Sequence, residues 1–242
     1  MNNRTVDLTL GPRPDEPGPP IGGPLTYPPE VAARLAADAA VIIARYPHSR
    51  SALLPLLHLV QSQDTYLTAA GISFCAAQLG LTDAEVTAVA TFYSMYRRNP
   101  TGKYLVGVCT NTLCAIMGGD AILETLEAHL GVRPGETTED DQVTLEHLEC
   151  NAACDYAPVV MVNWEFFDNQ TPAGARELVD ALRADEPVTA TRGGRICSFA
   201  ETARTLAGLP DPDREPDRSG PGPATLAGLR VAQALGMTET GD

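Results

Sequence analysis

Positively charged side chains are scarce in this sequence. Its 242 residues include 17 Lys and Arg against 31 Asp and Glu, which gives a formal net charge of −14 at pH 7. Binding to the phosphate backbone of nucleic acid, or to anionic lipid, depends on clustered cations. The composition therefore argues against a nucleic-acid partner and against docking on an acidic membrane surface.

Long apolar runs are absent as well. The first residues, MNNRTVDLTLGPRP, lack the charged start and the apolar core of a secretory signal peptide. No stretch reaches the roughly 18 apolar residues that suggest a transmembrane helix. We therefore expect a cytoplasmic chain with no direct membrane insertion.

Two kinds of motif that would give the chain a chemistry of its own are missing. Neither a G-x-G-x-x-G fingerprint nor a P-loop occurs, so no nucleotide site is expected. The chain has six cysteines but no C-x-x-C, the spacing of thioredoxin-type thiol exchange. In a reducing compartment, clustered cysteines more often bind metal than form disulfides. The solitary Cys75 and Cys197 are expected to be small buried apolar residues.

The N-terminal part of the sequence divides into a tail and a helical region. Residues 1–27 are too rich in Pro and Gly to hold a helix and are expected to be extended. Residues 28–98 contain four segments with helical features, which predict a helical bundle. Pro55 fits the second helix only within its first turn. Thr82 and Glu85 have the spacing of a capping box at the start of the fourth helix, which is expected to reach the end of TFYSMY.

The apolar pattern changes at the turn sequence NPTG. Over residues 99–185, short apolar runs and helical segments follow in the order β, α, β, β, α, which predicts a small sheet covered by helices in a thioredoxin-like layout. Residues 186–242 contain another Pro-rich stretch and are expected to be an extended C-terminal tail, either disordered or lying across a partner. The predicted fold class is α+β.

Four of the six cysteines form two closely spaced pairs. Cys109 and Cys114 lie in VCTNTLCAIMGG, and Cys150 and Cys154 lie in ECNAACDYAPVVMVN, with 35 residues between the pairs. Each pair lies where a predicted strand of the second domain gives way to a loop. Because loops at one end of a sheet can bring four thiolates together, the pattern predicts a metal centre.

Four thiolates suit either a structural zinc ion or an iron-sulfur cluster. Paired zinc ligands are usually separated by about two to four residues, most often two. The gaps here are four and three residues. A 2Fe-2S cluster is larger than one ion, and a four-residue gap also occurs in plant-type ferredoxins, so the spacing favours the cluster. A zinc site and four free structural thiols stay open as alternatives.

The sequence around these cysteines closely resembles one family. The C-x4-C pair, the C-x3-C pair followed by APVVMVN, and the earlier segments ATFYSMY and NPTGKY are similar to the small 2Fe-2S subunit of the NADH-dehydrogenase module of respiratory complex I. The likeness runs from about Ser51 to Leu182. The chain has 16 Arg for one Lys and abundant Ala, which is typical of GC-rich genomes and indicates an actinobacterial member.

The resemblance implies a helical bundle followed by a thioredoxin-like ferredoxin domain with one 2Fe-2S cluster. It implies that Cys109, Cys114, Cys150 and Cys154 are the cluster ligands. It further implies exchange of single electrons with the FMN of a neighbouring NADH-binding subunit, so the isolated chain is not expected to be catalytic. Other iron-sulfur subunits of the peripheral arm are implied as partners, on the cytoplasmic side of the cell membrane.

Two other functions stay open. The same cysteine pattern occurs in the small diaphorase subunits of some NAD-linked hydrogenases and formate dehydrogenases. A zinc-stabilised adaptor protein would instead recruit a partner through its helical bundle and move no electrons. An oxidised 2Fe-2S protein is reddish brown and a zinc protein is colourless, so colour separates the adaptor from the electron carrier.

The sequence departs from the family around the second cysteine pair. Relatives commonly have glycines there, where this chain has Asn151, Ala152, Ala153 and Asp155. Glycine allows positive φ and a close approach of backbone amides to sulfur, so these residues put that amide pattern in question. In addition, the segment between Pro134 and Cys154 is acidic and has no Lys or Arg, which predicts a local field that disfavours the reduced cluster.

Overall fold

The predicted order of helices and strands is present in the structure. A computed structural model describes residues 21–211 and 220–237; residues 1–20, most of the predicted N-terminal tail, lie outside them. The helices are α1 (Pro29–Ile43), α2 (Leu53–Asp64), α3 (Ala69–Leu79), α4 (Asp83–Ala90), α5 (Thr112–Ile116), α6 (Gly119–Leu130), α7 (Pro172–Arg183), α8 (Phe199–Leu206) and α9 (Ala227–Ala234). The strands are β1 (Tyr104–Cys109), β2 (Val143–Leu148), β3 (Val160–Val162) and β4 (Glu165–Phe167). Within these described ranges, no helix is long and apolar enough to cross a membrane.

Local signals fix the ends of the first four helices. Pro55 is the third residue of α2, so its missing amide falls in the first turn as predicted. The capping box of Thr82 and Glu85 opens α4, also as predicted. However, α4 ends at Ala90, before the expected end at Tyr96. The residues that follow are Thr, Phe and Tyr, whose side chains lose rotamer freedom in a helix.

The sheet has the strand order β2-β1-β3-β4. β1 pairs with β2 in parallel and with β3 in antiparallel orientation, and α5 and α6 form the crossover between the parallel strands. Asn163 and Trp164, at φ values of 48° and 68°, form the two-residue turn that joins β3 to β4. Such turns match the right-handed twist of the flanking strands. Together with the N-terminal helices, this confirms the predicted α+β class.

Residues 186–211 are folded rather than extended, which corrects the domain boundary predicted at 185. Phe199, the first residue of α8, is fully buried, and its backbone amide donates a hydrogen bond to the Lys103 carbonyl at 2.8 Å. The capping box of Ser198 and Glu201 opens this helix, which packs against α2. Phe199 and Ala203 lie four positions apart on one helical face and are both buried. This amphipathic face gives α8 a reason to pack.

The bundle and the sheet meet through aromatic side chains. Trp164, at the β3–β4 turn, lies with its ring centroid 5.2 Å from Phe199 and 6.3 Å from His58 of α2. His58 also faces Tyr96, at 5.0 Å between centroids. These contacts join the two predicted domains, so the sheet edge that carries the cysteines is built on a supported scaffold.

Candidate metal centre

The two cysteine pairs lie at the carboxyl ends of neighbouring parallel strands. Cys109 is the last residue of β1 and is opposite Leu148, the last residue of β2. The chain reaches Cys150 two residues later. Parallel neighbours end at the same edge of a sheet, so the register brings both loops to one edge. Cys114 follows in α5, and Cys154 begins a short 3-10 helix ending at Tyr156.

The first pair is shielded from solvent. Cys109 and Cys114 are each 3% exposed and pack with Ala153, Val159 and Met161. Burial, followed by a hydrogen bond between the two thiols, raises the pKa of Cys114 to about 11. A metal ligand must be a thiolate, so this pair needs a positive charge close to it to ionise at neutral pH. A bound iron would supply that charge.

The second pair is exposed and spaced for a shared ion. Cys150 and Cys154 have their Sγ atoms 3.9 Å apart. Two thiolates on one tetrahedral metal, with bonds of about 2.3 Å, lie roughly 3.8 Å apart. The neighbouring Cys150 thiol, through a hydrogen bond and through repulsion of the charged form, raises the pKa of Cys154. The pair therefore has the spacing of metal ligands before any metal binds.

Two glycines let the first cysteine loop fold back on itself. Gly118 has a φ of +110°, a conformation that favours glycine. A Cβ atom on Gly119 would lie 2.5 Å from the Cys109 carbonyl oxygen and 2.9 Å from that of Cys114. The start of α6 can pack against the two cysteines only because Gly119 has no side chain.

The second cysteine loop keeps an amide-to-sulfur contact without glycine. Ala152 adopts a φ of +56°, and its backbone amide donates to Cys150 Sγ at 3.4 Å. The Nδ2 atom of Asn151 is buried without a hydrogen-bond partner within the described part of the chain. A buried donor of this kind is costly unless it is satisfied. A sulfur of a bound cluster would be a suitable acceptor, so the loop fits such a group.

The thiols assemble as two pairs. Across residues 21–211 and 220–237, no three His, Cys, Asp or Glu side chains gather closely enough to hold one metal ion. A 2Fe-2S cluster places two ligands on each of two irons, and this donor set has that arrangement. Cys75 is fully buried in the bundle, as predicted. Cys197 is only partly buried, contrary to expectation, and its Sγ lies 3.2 Å from Thr202 Oγ1 of α8.

The acidic segment between the pairs is partly neutralised in space. Arg183 of α7 donates two hydrogen bonds to Asp140, at 2.7 and 3.1 Å, and these contribute, after the hydroxyl of Thr138, to lowering the pKa of Asp140 to about 2. Arg97 forms an ion pair with Glu146. The prediction of an unbalanced acidic field therefore needs correction, because the compensating arginines come from distant parts of the sequence.

Sequence reasoning missed one cation beside the second loop. Arg192 donates to the carboxylate of Asp155, the residue after Cys154, at 2.8 Å, and to Asp168 at 2.8 Å. Its guanidinium also lies 5.0 Å from the ring centroid of Tyr156. The only sequence signal is a basic segment, TRGGR, inside the supposed tail. Nothing in its spacing links it to the cysteines.

Comparison with known proteins identifies the family. The profile described as thioredoxin-like 2Fe-2S ferredoxin matches residues 39–183. An NADH-quinone oxidoreductase subunit of Mycobacterium bovis is 66% identical over 96% of this chain and 93% of its own length. The subunit of the same name in Rickettsia conorii is 40% identical over 60% of this chain and 88% of its own.

One comparison with a solved structure supports the fold alone. The crystal structure of an NAD+-reducing NiFe-hydrogenase in the air-oxidised state matches with a TM-score of 0.51 and 24% identity, over 56% of this chain and 23% of that one. The mycobacterial relative, by contrast, matches nearly end to end, and mycobacteria are actinobacteria, as the composition predicted. The chain belongs to the thioredoxin-like 2Fe-2S ferredoxin family, and within it to the NADH-quinone oxidoreductase subunits of this type.

Proposed function

We propose that this chain is the electron-transfer subunit of an NADH:quinone oxidoreductase, exchanging single electrons between a flavin and one 2Fe-2S cluster. The observation that carries the proposal is the meeting of two thiol pairs at the shared edge of β1 and β2. The 66% identity to the mycobacterial oxidoreductase subunit, over 96% of the chain, supports the same conclusion. The chain works as part of the enzyme and has no substrate of its own.

Each cysteine pair holds one iron in this proposal. Cys109 and Cys114 bind the iron on the buried side, and Cys150 and Cys154 bind the iron nearer to solvent. The cluster, when bound, supplies a carrier that takes up and returns one electron. The protein's part is to exclude water from the first pair through Val159 and Met161 and to keep the second pair near the surface. This asymmetry favours electron exchange on the Cys150–Cys154 side.

The donor of electrons is a flavin-containing NADH-binding subunit in the same complex. The bundle offers an apolar surface for a protein partner: an open groove of about 400 Å³ is lined by Leu53, Leu54, Val89, Phe92 and Tyr93 among others. Phe92 is 78% exposed although aromatic. Exposed apolar patches of this kind mark protein interaction sites. We assign this groove, here called the Phe92 groove, to the flavoprotein.

Further partners are other iron-sulfur subunits of the peripheral arm, on the cytoplasmic side of the cell membrane. The net charge of −14 gives no support to a nucleic-acid partner. The hydrogenase and formate dehydrogenase alternatives have weaker support, since the hydrogenase likeness is one of fold at 24% identity. The zinc adaptor requires a colourless protein.

The test uses the full chain purified without oxygen, alone and together with the flavoprotein. We expect a reddish-brown protein whose visible absorption is bleached by NADH only when the flavoprotein is present. An EPR signal of a reduced 2Fe-2S cluster should appear with the bleaching. A colourless zinc protein would overturn the proposal. So would a coloured protein that NADH cannot reduce with the flavoprotein present.

A further inference from the structure

The C-terminal segment returns to the second cysteine loop. Its residues 220–226 precede α9, and two of them contact the residues directly after Cys154. The backbone amide of Ala224 donates to the Tyr156 phenol oxygen at 3.2 Å. The hydroxyl of Thr225 donates to the carboxylate of Asp155. Segments about seventy residues apart in sequence therefore meet beside a candidate ligand.

The contact is close-packed as well as hydrogen-bonded. A Cβ atom on Gly222 would lie 2.2 Å from the Tyr156 hydroxyl oxygen and 3.1 Å from the ring carbon that bears it. The backbone at Gly222 can pass over the phenol only because it has no side chain. Tyr156 is thus held from the outside by the segment 220–226.

Arg192 holds the same two residues from the other side. Its Nη2 atom donates to Asp155 Oδ1, while Thr225 donates to Oδ2 of the same carboxylate. Its Nε atom is anchored on Asp168, just after β4. The guanidinium also lies over the rings of Tyr156 and Phe166, at 5.0 and 5.4 Å from their centroids. Asp155 is therefore fixed between the body of the protein and the C-terminal segment.

We propose that residues 220–226 form a strap that positions the second cysteine loop, with Asp155 and Tyr156 as its attachment points. The inference rests on the proposed cluster function. Cys150 and Cys154 are exposed, whereas Cys109 and Cys114 are buried in an apolar shell. The half of the site that lacks support from the core is the half that the strap contacts. By restricting opening of this loop, the strap slows loss of the outer iron.

The experiment compares release of the cluster from the full-length holoprotein in excess EDTA, followed by visible absorption. Thr225→Ala removes the hydrogen bond to Asp155, and Tyr156→Phe removes the acceptor of Ala224 while keeping the ring. Hydrogen bonds to charged groups are among the stronger ones, so we expect Thr225→Ala to release its cluster about tenfold faster. A smaller acceleration is expected for Tyr156→Phe. Thr125→Ala is the control, because Thr125 bonds only within α6.

A second measurement keeps the proposal separate from the cluster assignment. Hydrogen–deuterium exchange of residues 152–156 reports opening of the loop whether or not iron is bound. We expect faster exchange there in Thr225→Ala, in the cluster-free chain as well as the loaded one. Release and exchange at the rates of wild type and Thr125→Ala would overturn the strap. A wild-type chain that never takes up iron would instead overturn the proposed function.

Discussion

The imidazole of His58 meets the indole of Trp164 edge-on, with the ring centroids 6.3 Å apart. His58 belongs to α2 of the bundle and Trp164 to the β3–β4 turn of the sheet. The histidine is 5% exposed, and its Nδ1 atom has no hydrogen-bond partner among the described residues. A neutral ring can occupy this position at modest cost, whereas a charged ring cannot.

This burial predicts a pH dependence of stability. Burial lowers the pKa of His58 to about 4. The unfolded chain takes up the proton near pH 6.5. The group therefore has no effect above about pH 6.5, and it destabilises the fold progressively as the pH falls from 6.5 to 4. The full effect is at most about 3 kcal/mol.

Urea unfolding between pH 7.5 and 4.5 tests this prediction. In His58→Leu, the loss of stability on acidification should be smaller than in wild type. His48→Leu replaces an exposed histidine and is the control. Parallel pH profiles for wild type and His58→Leu would show that His58 is not the group responsible.

Backbone strain in the second cysteine loop gives another prediction. Ala152 has a φ of +56°, which is unfavourable for a residue with a Cβ atom. Ala152→Gly should raise the free energy of unfolding by about 0.5–1 kcal/mol, because relief of strain exceeds the added entropy of the unfolded chain. Ala153→Gly is the matched control, since Ala153 has a φ of −101° and should be destabilised. Chemical denaturation that ranks the two variants in the opposite order would contradict the account.

Local signals explain what could be predicted from the sequence. The capping box of Thr82 and Glu85 and the first-turn position of Pro55 depend on neighbours in the chain, and both occur as predicted. The meeting of the cysteine loops could also be predicted, because it follows from the ends of neighbouring strands. Their ligand role stays a prediction.

Contacts between distant segments explain what was missed. Arg192, Thr225 and Asp155 meet only after the chain has folded, and no spacing rule links them. The pairing of Arg183 with Asp140 is of the same kind. The packing of α8 was missed because the Pro-rich residues beyond it dominate the composition of the tail, although Ser198 and Glu201 form a readable capping box.

The pairing of Asp140 also changes what we expect of the cluster potential. Asp140 precedes β2, and the cysteines follow it. The six residues of β2 span about 20 Å at the usual rise per residue, roughly twice the screening length in physiological salt. Asp140→Asn should therefore leave the potential unchanged. Glu149 is exposed and adjacent to Cys150, so Glu149→Gln should raise it by about 20 mV, the effect of a charge roughly 8 Å away in water.

Redox titration of the two variants separates these effects. A larger shift in Asp140→Asn than in Glu149→Gln would mean that distance from the cysteines does not govern the contribution of a charge. The titration belongs at low ionic strength, where screening is weakest.

The Phe92 groove predicts how the flavoprotein partner binds. Phe92→Glu places a charge in the groove at a residue that is 78% exposed, so the fold should be retained while co-purification with the flavoprotein is lost. Leu25→Glu makes the same change at an apolar residue of equal exposure, 78%, and is the control. If both variants retain the partner at wild-type yield, docking does not use the groove.

Iron and sulfide analysis of cysteine variants tests the central claim most directly. Wild type, Cys75→Ala and Cys197→Ala should each contain about two irons and two sulfides per chain, as a single 2Fe-2S cluster requires. Cys114→Ala and Cys150→Ala, one from each pair, should lose stable incorporation, because an iron without one thiolate is open to solvent. Full iron and sulfide content in both of these variants would contradict the assignment of the cluster to the edge shared by β1 and β2.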